Sequence, residues 1–313
     1  MNKPNFLVAG VAKCGTTSLF FYLAQHPEVC IPKKETFYFI RNFYKNQTDD
    51  LIGQRKPSQL ILTENDYDNL YRKCGEEKAI GEVSTCYFHF PDMAIPEIKA
   101  KLSNPKVIII LREPVSRAWS NYMHFRRGNQ EPFTFEEAIQ AQENRKEKKW
   151  DFMWDYSGLG FYADNIERYR KEFNDVMILF NEDLESKPIE TMQQIFTFIG
   201  VDSSFIPNTE TRYNISDSQD KNPLFKIFIR KSFMRTMVRP IAEKILSPTL
   251  KQKIRHKLRR KNSGPKPTMN PETKQKLKDI YREDILRVQE LTGRDLSSWL
   301  NAWDHNKRNH SKV

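Results

Sequence analysis

The stretch "VAGVAKCGTTSLFFYLAQHPEV" (8–29) joins an apolar run to a helical pattern through a turn flanked by Gly10 and Gly15. The nucleotide loop G-x-x-x-x-G-K-S/T cradles phosphates with backbone N–H groups, sends its lysine to the terminal phosphates and gives its hydroxyl to magnesium. The two glycines keep that spacing, but Thr16 stands at the lysine position and Lys13 lies inside the loop. An anion cradle is retained while its charge has moved. A glycine turn capped by Thr16 or Thr17 would need no ligand, because a hydroxyl at a helix start satisfies orphan N–H groups.

Outward from the loop the chain alternates. "NFLVAGV" (5–11), "AIGEVST" (79–85), "KVIIILR" (106–112) and "DVMILFN" (175–181) are short apolar or β-branched runs of the kind that form strands buried on both faces. Helical patterns lie between them. "TTSLFFYLAQH" has a hydroxyl start and an apolar face, "SRAWSNYMHFRR" follows a strand directly, and "KPIETMQQIFTFIG" ends on Gly200. The alternation predicts an α/β, P-loop-like three-layer fold with a central parallel β-sheet flanked by helices. Residues 1–313 are expected to form a single domain, with 221–261 a basic helical insertion and 301–313 a flexible tail. Ligands of such sheets gather at the carboxyl ends of the strands, where the loop carrying Lys13 and the segment starting at Arg112 would both lie.

At 313 residues and 38% hydrophobic content the chain can bury an enzyme-sized core. No apolar run reaches the roughly 18 residues of a membrane span, and since "MNKPN" (1–5) gives way at once to the first strand, no signal peptide is expected. Cys14, Cys30, Cys74 and Cys86 form no C-x-x-C pair and no metal spacing, so free thiols, a reducing compartment and a cytoplasmic location are expected, without zinc or disulfides. The net charge of +11 is unevenly spread: residues 221–261 carry fourteen Lys or Arg against the single acid Glu243. That argues against a nucleic-acid binder and for one basic element with a local role. Within it Leu224, Phe225, Phe228, Ile229 and Phe233 interleave with the basic residues, as in a helix lying peripherally on an anionic inner membrane surface, and equally as in a basic surface helix packed on a core.

A second anion site is written in "VIIILREPVSRAWSNY" (107–122). Arg112 ends an apolar strand, and Ser120 lies about two turns into a helix that begins near Pro114. A guanidinium offers a forked, permanent grip on phosphate and a serine hydroxyl adds a neutral donor. The competing reading pairs Arg112 with Glu113 or another acid. Arg117 reads as structural.

With both segments in hand, the sequence resembles the sulfotransferases that use 3′-phosphoadenylyl sulfate (PAPS). Their 5′-phosphosulfate loop is similar to "KCGTTSL" (13–19), and their 3′-phosphate motif R-x-P-x-x-R-x-x-S is matched by Arg112, Pro114, Arg117 and Ser120. The likeness continues through "HPEVCIPKKETFYF" (26–39), "GEVSTCYF" (81–88), "FTFEEAI" (133–139), "GFYADNIERYRKEF" (160–173), "FNEDLESKP" (180–188) and "GRDLSSWL" (293–300), covering nearly the whole chain. The branch it resembles is that of bacterial sulfotransferases related to the carbohydrate and heparan sulfate enzymes. The resemblance implies PAPS as donor, PAP as product and no metal. Lys13 would be both catalytic residue and donor ligand, with Cys14, Gly15, Thr16, Thr17 and Ser18 around the 5′-phosphosulfate and Arg112 and Ser120 on the 3′-phosphate. Arg259, Arg260 and Lys261 in "RRKNSGPKPTMNPETKQKL" (259–277) would belong to the late loop that closes over the nucleotide. The implied acceptor is a carbohydrate or glycolipid, with a small hydroxylated metabolite as the alternative. A P-loop kinase or nucleotide-binding regulator would need a lysine at the Thr16 position and an Asp ending an apolar strand, and neither is present.

The acceptor must lose a proton as it attacks sulfur. Glycan-type relatives use the glutamate of a K-E-x-x-F-F segment as base, and Lys34, Glu35 and Phe39 fall on that pattern, beside an aromatic stretch that would partly desolvate the carboxylate. Glu82 is the competing carboxylate. Several heparan-type enzymes read E-K-S/T where this chain has Glu82, Val83 and Ser84, so an assisting lysine is missing there. His89 and His124 fall near plausible site edges and His26 reads as structural; Cys14 is either a thiol activated by the loop or a packing residue. Trp150, Trp154, Tyr156, Phe161 and Tyr162 are expected either to border the acceptor cleft or to pack in the core.

Overall fold

In the computed structural model, which describes residues 2–45, 60–210 and 268–300, the four apolar runs form strands. They are β1 (Phe6–Gly10), β3 (Ala79–Val83), β4 (Lys106–Leu111) and β5 (Val176–Phe180), joined by a two-residue β2 (Val29–Cys30). All pair in parallel, in the order β2-β3-β1-β4-β5. β1 is central, with Phe6 opposite Gly81 on one side and Lys106 on the other. Every residue of β1 and β3 is buried, which is why these strands read as continuous apolar runs and not as alternation.

Helices fill the connections. α1 (Thr16–Leu23) follows β1; α2 (Arg41–Lys45) and α3 (Glu64–Tyr71) lie between β2 and β3; α4 (Pro91–Leu102) leads to β4. α5 (Pro114–Arg127), α6 (Phe135–Gln140), α7 (Gln142–Glu147) and α8 (Ala163–Glu172) precede β5. α9 (Asn181–Ser186) and α10 (Pro188–Ile199) follow it, and α11 (Pro271–Thr292) and α12 (Ser297–Leu300) close the described residues. α5 starts where the sequence said, with Pro114 in its first turn and the Glu113 carboxylate accepting the N–H groups of Val115 (2.9 Å) and Ser116 (2.7 Å). At the end of β1 a Cβ on Gly10 would lie 2.4 Å from that of Phe88, so the strand can pass beneath this ring only as glycine.

One expectation is corrected. Cys30 and Cys74 are joined by a disulfide across 44 residues, leaving Cys14 and Cys86 as the free, buried thiols. The pairing is tertiary: β2 docks on β3 through Val29 and Cys30, while the chain leaving α3 returns to the same edge through Cys74. No local spacing announces it. The thiol argument for a reducing compartment falls with it, since structural disulfides persist in oxidising ones. Among the described residues no helix is long and apolar enough to cross a membrane. The basic segment 221–261, with Arg259, Arg260 and Lys261, and the tail 301–313 lie outside the described residues.

Candidate functional site

β1 delivers residues 11–15 to the carboxyl edge of the sheet at its centre. Lys13 (φ 71°) and Gly15 (φ 93°) both take left-handed conformations, curling the backbone around the start of α1. Gly15 is the N-cap residue and no side chain caps the helix, so the turn closed by a threonine hydroxyl is not what this sequence forms. Uncapped N–H groups at a helix start suit an anion. The loop is also tightly backed, since a Cβ on Gly15 would come within 2.7 Å of the Asn181 Nδ2 that opens α9. Cys14 faces the core. Burial pushes its thiol up to about 12 and its N–H is bonded to Val11 O, so it is a packing residue and not an activated thiol.

The second anion motif meets the first. Arg112, at the end of the neighbouring β4, donates from Nη1 to Lys13 O at 3.3 Å, while Glu113 is engaged with the start of α5 and not with Arg112. Burial, then the charges of Arg127, Arg112, Lys34 and Arg117, bring the Lys13 ammonium down to about 8. Several cations thus converge on the loop, a field suited to a multiply charged anion. Arg112 lines a cavity of about 230 Å³ together with Ser116, Asn181, Glu182, Lys274 and Lys278. The two lysines lie one turn apart on α11, and sequence reading had not singled them out.

Along α5, Ser116, Ser120 and His124 recur every four residues, which sets them on one face. Ser120 is buried. Burial, followed by the charges of Lys13 and Arg127, depresses the His124 imidazole to about 4, so it is neutral at ordinary pH and sits within the field of Lys13. His124 and Arg127 therefore belong to this neighbourhood. The sequence already sets His124 near a site edge, whereas Arg127, one turn farther along α5, is announced only by the helical spacing after Ser120. His26 is structural as expected, its ring nitrogens bonded to Asp202 O (2.9 Å) and Glu28 N (3.0 Å).

The two candidate bases differ sharply in environment. Glu35 follows the loop after β2; its N–H donates to Val83 O at 2.8 Å. Its carboxylate accepts from Thr85 N (3.1 Å), Thr85 Oγ1 (3.1 Å) and Lys34 Nζ (2.5 Å), and its side chain remains 15% exposed. Glu82 is wholly enclosed and accepts hydroxyls from Thr36, Tyr67 (2.6 Å), Tyr87 (2.5 Å) and Ser84 (3.1 Å). Burial raises its pKa, and those hydrogen bonds oppose the rise. Glu82 has no exposed surface, whereas Glu35 keeps an exposed edge.

The aromatic group divides. Trp150, Trp154 and Phe161 line a cleft of about 1010 Å³ with Phe43, His89 and Asp151, but no residue of 13–18, nor Glu35 or Arg112, lines it. This is a separate hollow from the anion loop. Tyr156 and Tyr162 are fully buried; the Tyr162 hydroxyl donates to Arg112 O at 2.9 Å and so steadies the arginine. His89 is kept neutral by burial, its pKa lowered to about 3.

The profile of the family described as "Sulfotransferase domain" matches residues 3–292. The bifunctional heparan sulfate N-deacetylase/N-sulfotransferase 1 of Xenopus laevis is 25% identical over 97% of this chain and 32% of its own length. The human protein of the same name is 26% identical over 95% of this chain and 31% of its own. The chain thus spans about a third of the length of these curated relatives. The crystal structure of a sulfotransferase from Alicyclobacillus acidocaldarius superposes with a TM-score of 0.75 at 26% identity, covering 96% of this chain and all of that one.

Proposed function

The chain belongs to the sulfotransferase family, and from that membership we propose that it moves a sulfuryl group from PAPS to a hydroxyl or amine of a carbohydrate acceptor. The observation that carries the donor assignment is the uncapped loop at Lys13 tied through its own carbonyl to Arg112. In the reaction the acceptor oxygen or nitrogen forms a bond to sulfur as the bond from sulfur to the 5′-phosphate oxygen breaks. The electron pair of that bond leaves on PAP, and the acceptor's proton passes to Glu35. Lys13 and the N–H groups of the loop balance the charge growing on the departing oxygen, and Arg112 and Ser120 hold the 3′-phosphate. Thr16, Thr17 and Ser18 surround the 5′-phosphosulfate at the start of α1. No metal enters the scheme.

The carbohydrate assignment is supported by the names of the curated relatives and by the exposed edge of Glu35, which a sugar hydroxyl or amine can reach. Titration with PAP in excess chelator tests the donor. Micromolar, metal-independent binding is expected, whereas preference for ATP with magnesium would overturn the proposal. A panel of glucosamine oligosaccharides, cello-oligosaccharides and p-nitrophenol, each with labelled PAPS, then tests the acceptor. Transfer to p-nitrophenol alone would replace the carbohydrate by a small hydroxylated molecule.

A further inference from the structure

Lys34 is in contact with Glu35, and its charge reaches Lys13. Its backbone forms a parallel bridge with Val83 at the end of β3, and the following N–H, that of Glu35, donates to Val83 O at 2.8 Å. Its ammonium lies 2.5 Å from Glu35 Oε1 with the side chain 20% exposed. The same charge is among those that depress Lys13. Among the described residues, Lys34 is the one that both pairs with Glu35 and acts on Lys13.

An ionised carboxylate offers about four lone-pair positions. The Thr85 N–H, the Thr85 hydroxyl and the Lys34 ammonium occupy three on Glu35, which leaves one for the acceptor's proton. While Glu35 is negative, Lys34 is drawn to it.

We propose that Lys34 is a positioning residue for Glu35, holding the carboxylate in place for the acceptor's proton. Its ammonium, with the two Thr85 donors, fixes which edge of the Glu35 carboxylate faces the acceptor as the proton arrives. This rests on the sulfotransferase reading above. In Lys34→Met, kcat is expected to fall about 10–100-fold, below the range for removing a base outright, with PAP affinity and the Michaelis constants within about twofold of wild type. Lys34→Arg should restore most of the rate. The double variant Lys34→Met/Glu35→Gln should be no slower than Glu35→Gln alone, because the lysine acts through the carboxylate.

Turnover is read on the panel member that wild type sulfates fastest or, if it sulfates none, as release of PAP from PAPS with water as acceptor. Additive losses in the double variant, or weakened PAP binding with normal kcat, would overturn the proposal. Wild type that neither binds PAP nor consumes PAPS would instead sink the sulfotransferase reading itself. Since Lys34→Met could perturb folding, thermal melting of each variant accompanies the kinetics; a melt equal to wild type with normal kcat also counts against the proposal.

Discussion

Lys13 is an ammonium held in a place that disfavours its own charge. Its pKa of about 8 arises from burial and neighbouring cations, so in the free enzyme it is charged below that pH and neutral above it. In the proposed scheme the donor needs the charged form. Hence kcat/KM for PAPS should fall as pH rises through about 8, while the limb in kcat lies higher because the bound anion favours the ammonium. Lys13→Arg keeps the charge at every accessible pH and should lose the limb; a limb that persists in this variant would belong to another group. Lys13→Ala should lower kcat by about 10²–10³-fold, with Arg112→Ala acting chiefly on donor binding. Glu35→Gln should keep PAP affinity and folding but lose about 10²–10⁴-fold in turnover. Glu82→Gln faces its hydroxyl cluster with an amide and should cost about 1–3 kcal/mol of stability in urea unfolding. If Glu82→Gln were fully stable yet slow while Glu35→Gln turned over normally, the two roles would be reversed.

Strands, helices and loop were legible in the sequence wherever the information is local. β1, β3, β4 and β5 are continuous apolar runs because both faces are covered, and α10 ends at the glycine that sequence alone picked out. What escaped was built from distant residues. Tyr67 and Tyr87 reach Glu82 from two separate elements, Lys274 and Lys278 arrive on α11, and Cys30 meets Cys74 across 44 residues of chain. β2 is two residues long, and its attachment to the sheet depends on two register pairs and this cross-link. Closing a loop of 44 residues removes chain entropy worth about 4 kcal/mol on the simplest model. Reductant should therefore lower the melting temperature of wild type and leave that of Cys30→Ser unchanged. Titration of four free thiols in the unfolded, non-reduced protein would show that the cross-link does not form in solution.

For the molecule as a whole, the charge that matters at the site is local. Residues 221–261, outside the described structure, carry more positive charge than the whole chain's +11 excess, yet Lys13, Lys34, Arg112, Arg117 and Arg127 already act on one loop. Arg117 is the extreme case. It is 0% exposed, its Nη2 donates to Tyr156 O, and its Nε and Nη1 have no hydrogen-bond partner. An enclosed guanidinium that among the described residues pairs with no carboxylate costs several kcal/mol, roughly, and a multiply charged anion held at the Lys13 loop, on which Arg117 already acts, would supply counter-charge. PAP at about a hundred times its Kd should stabilise the fold by about 2.7 kcal/mol from binding alone, and Arg117 should account for part of that affinity. In Arg117→Met the melting shift caused by a fixed PAP concentration should shrink, while the ligand-free melt drops less than loss of the Tyr156 bond would suggest because a buried charge has gone with it. Salt separates the contributions. Exposed cations are screened, so part of the PAP shift should fade at high ionic strength, but the part lost in Arg117→Met should persist in wild type because buried charge is screened much less. A PAP shift identical in wild type and Arg117→Met at both low and high salt would mean that Arg117 only packs α5 against the segment around Tyr156.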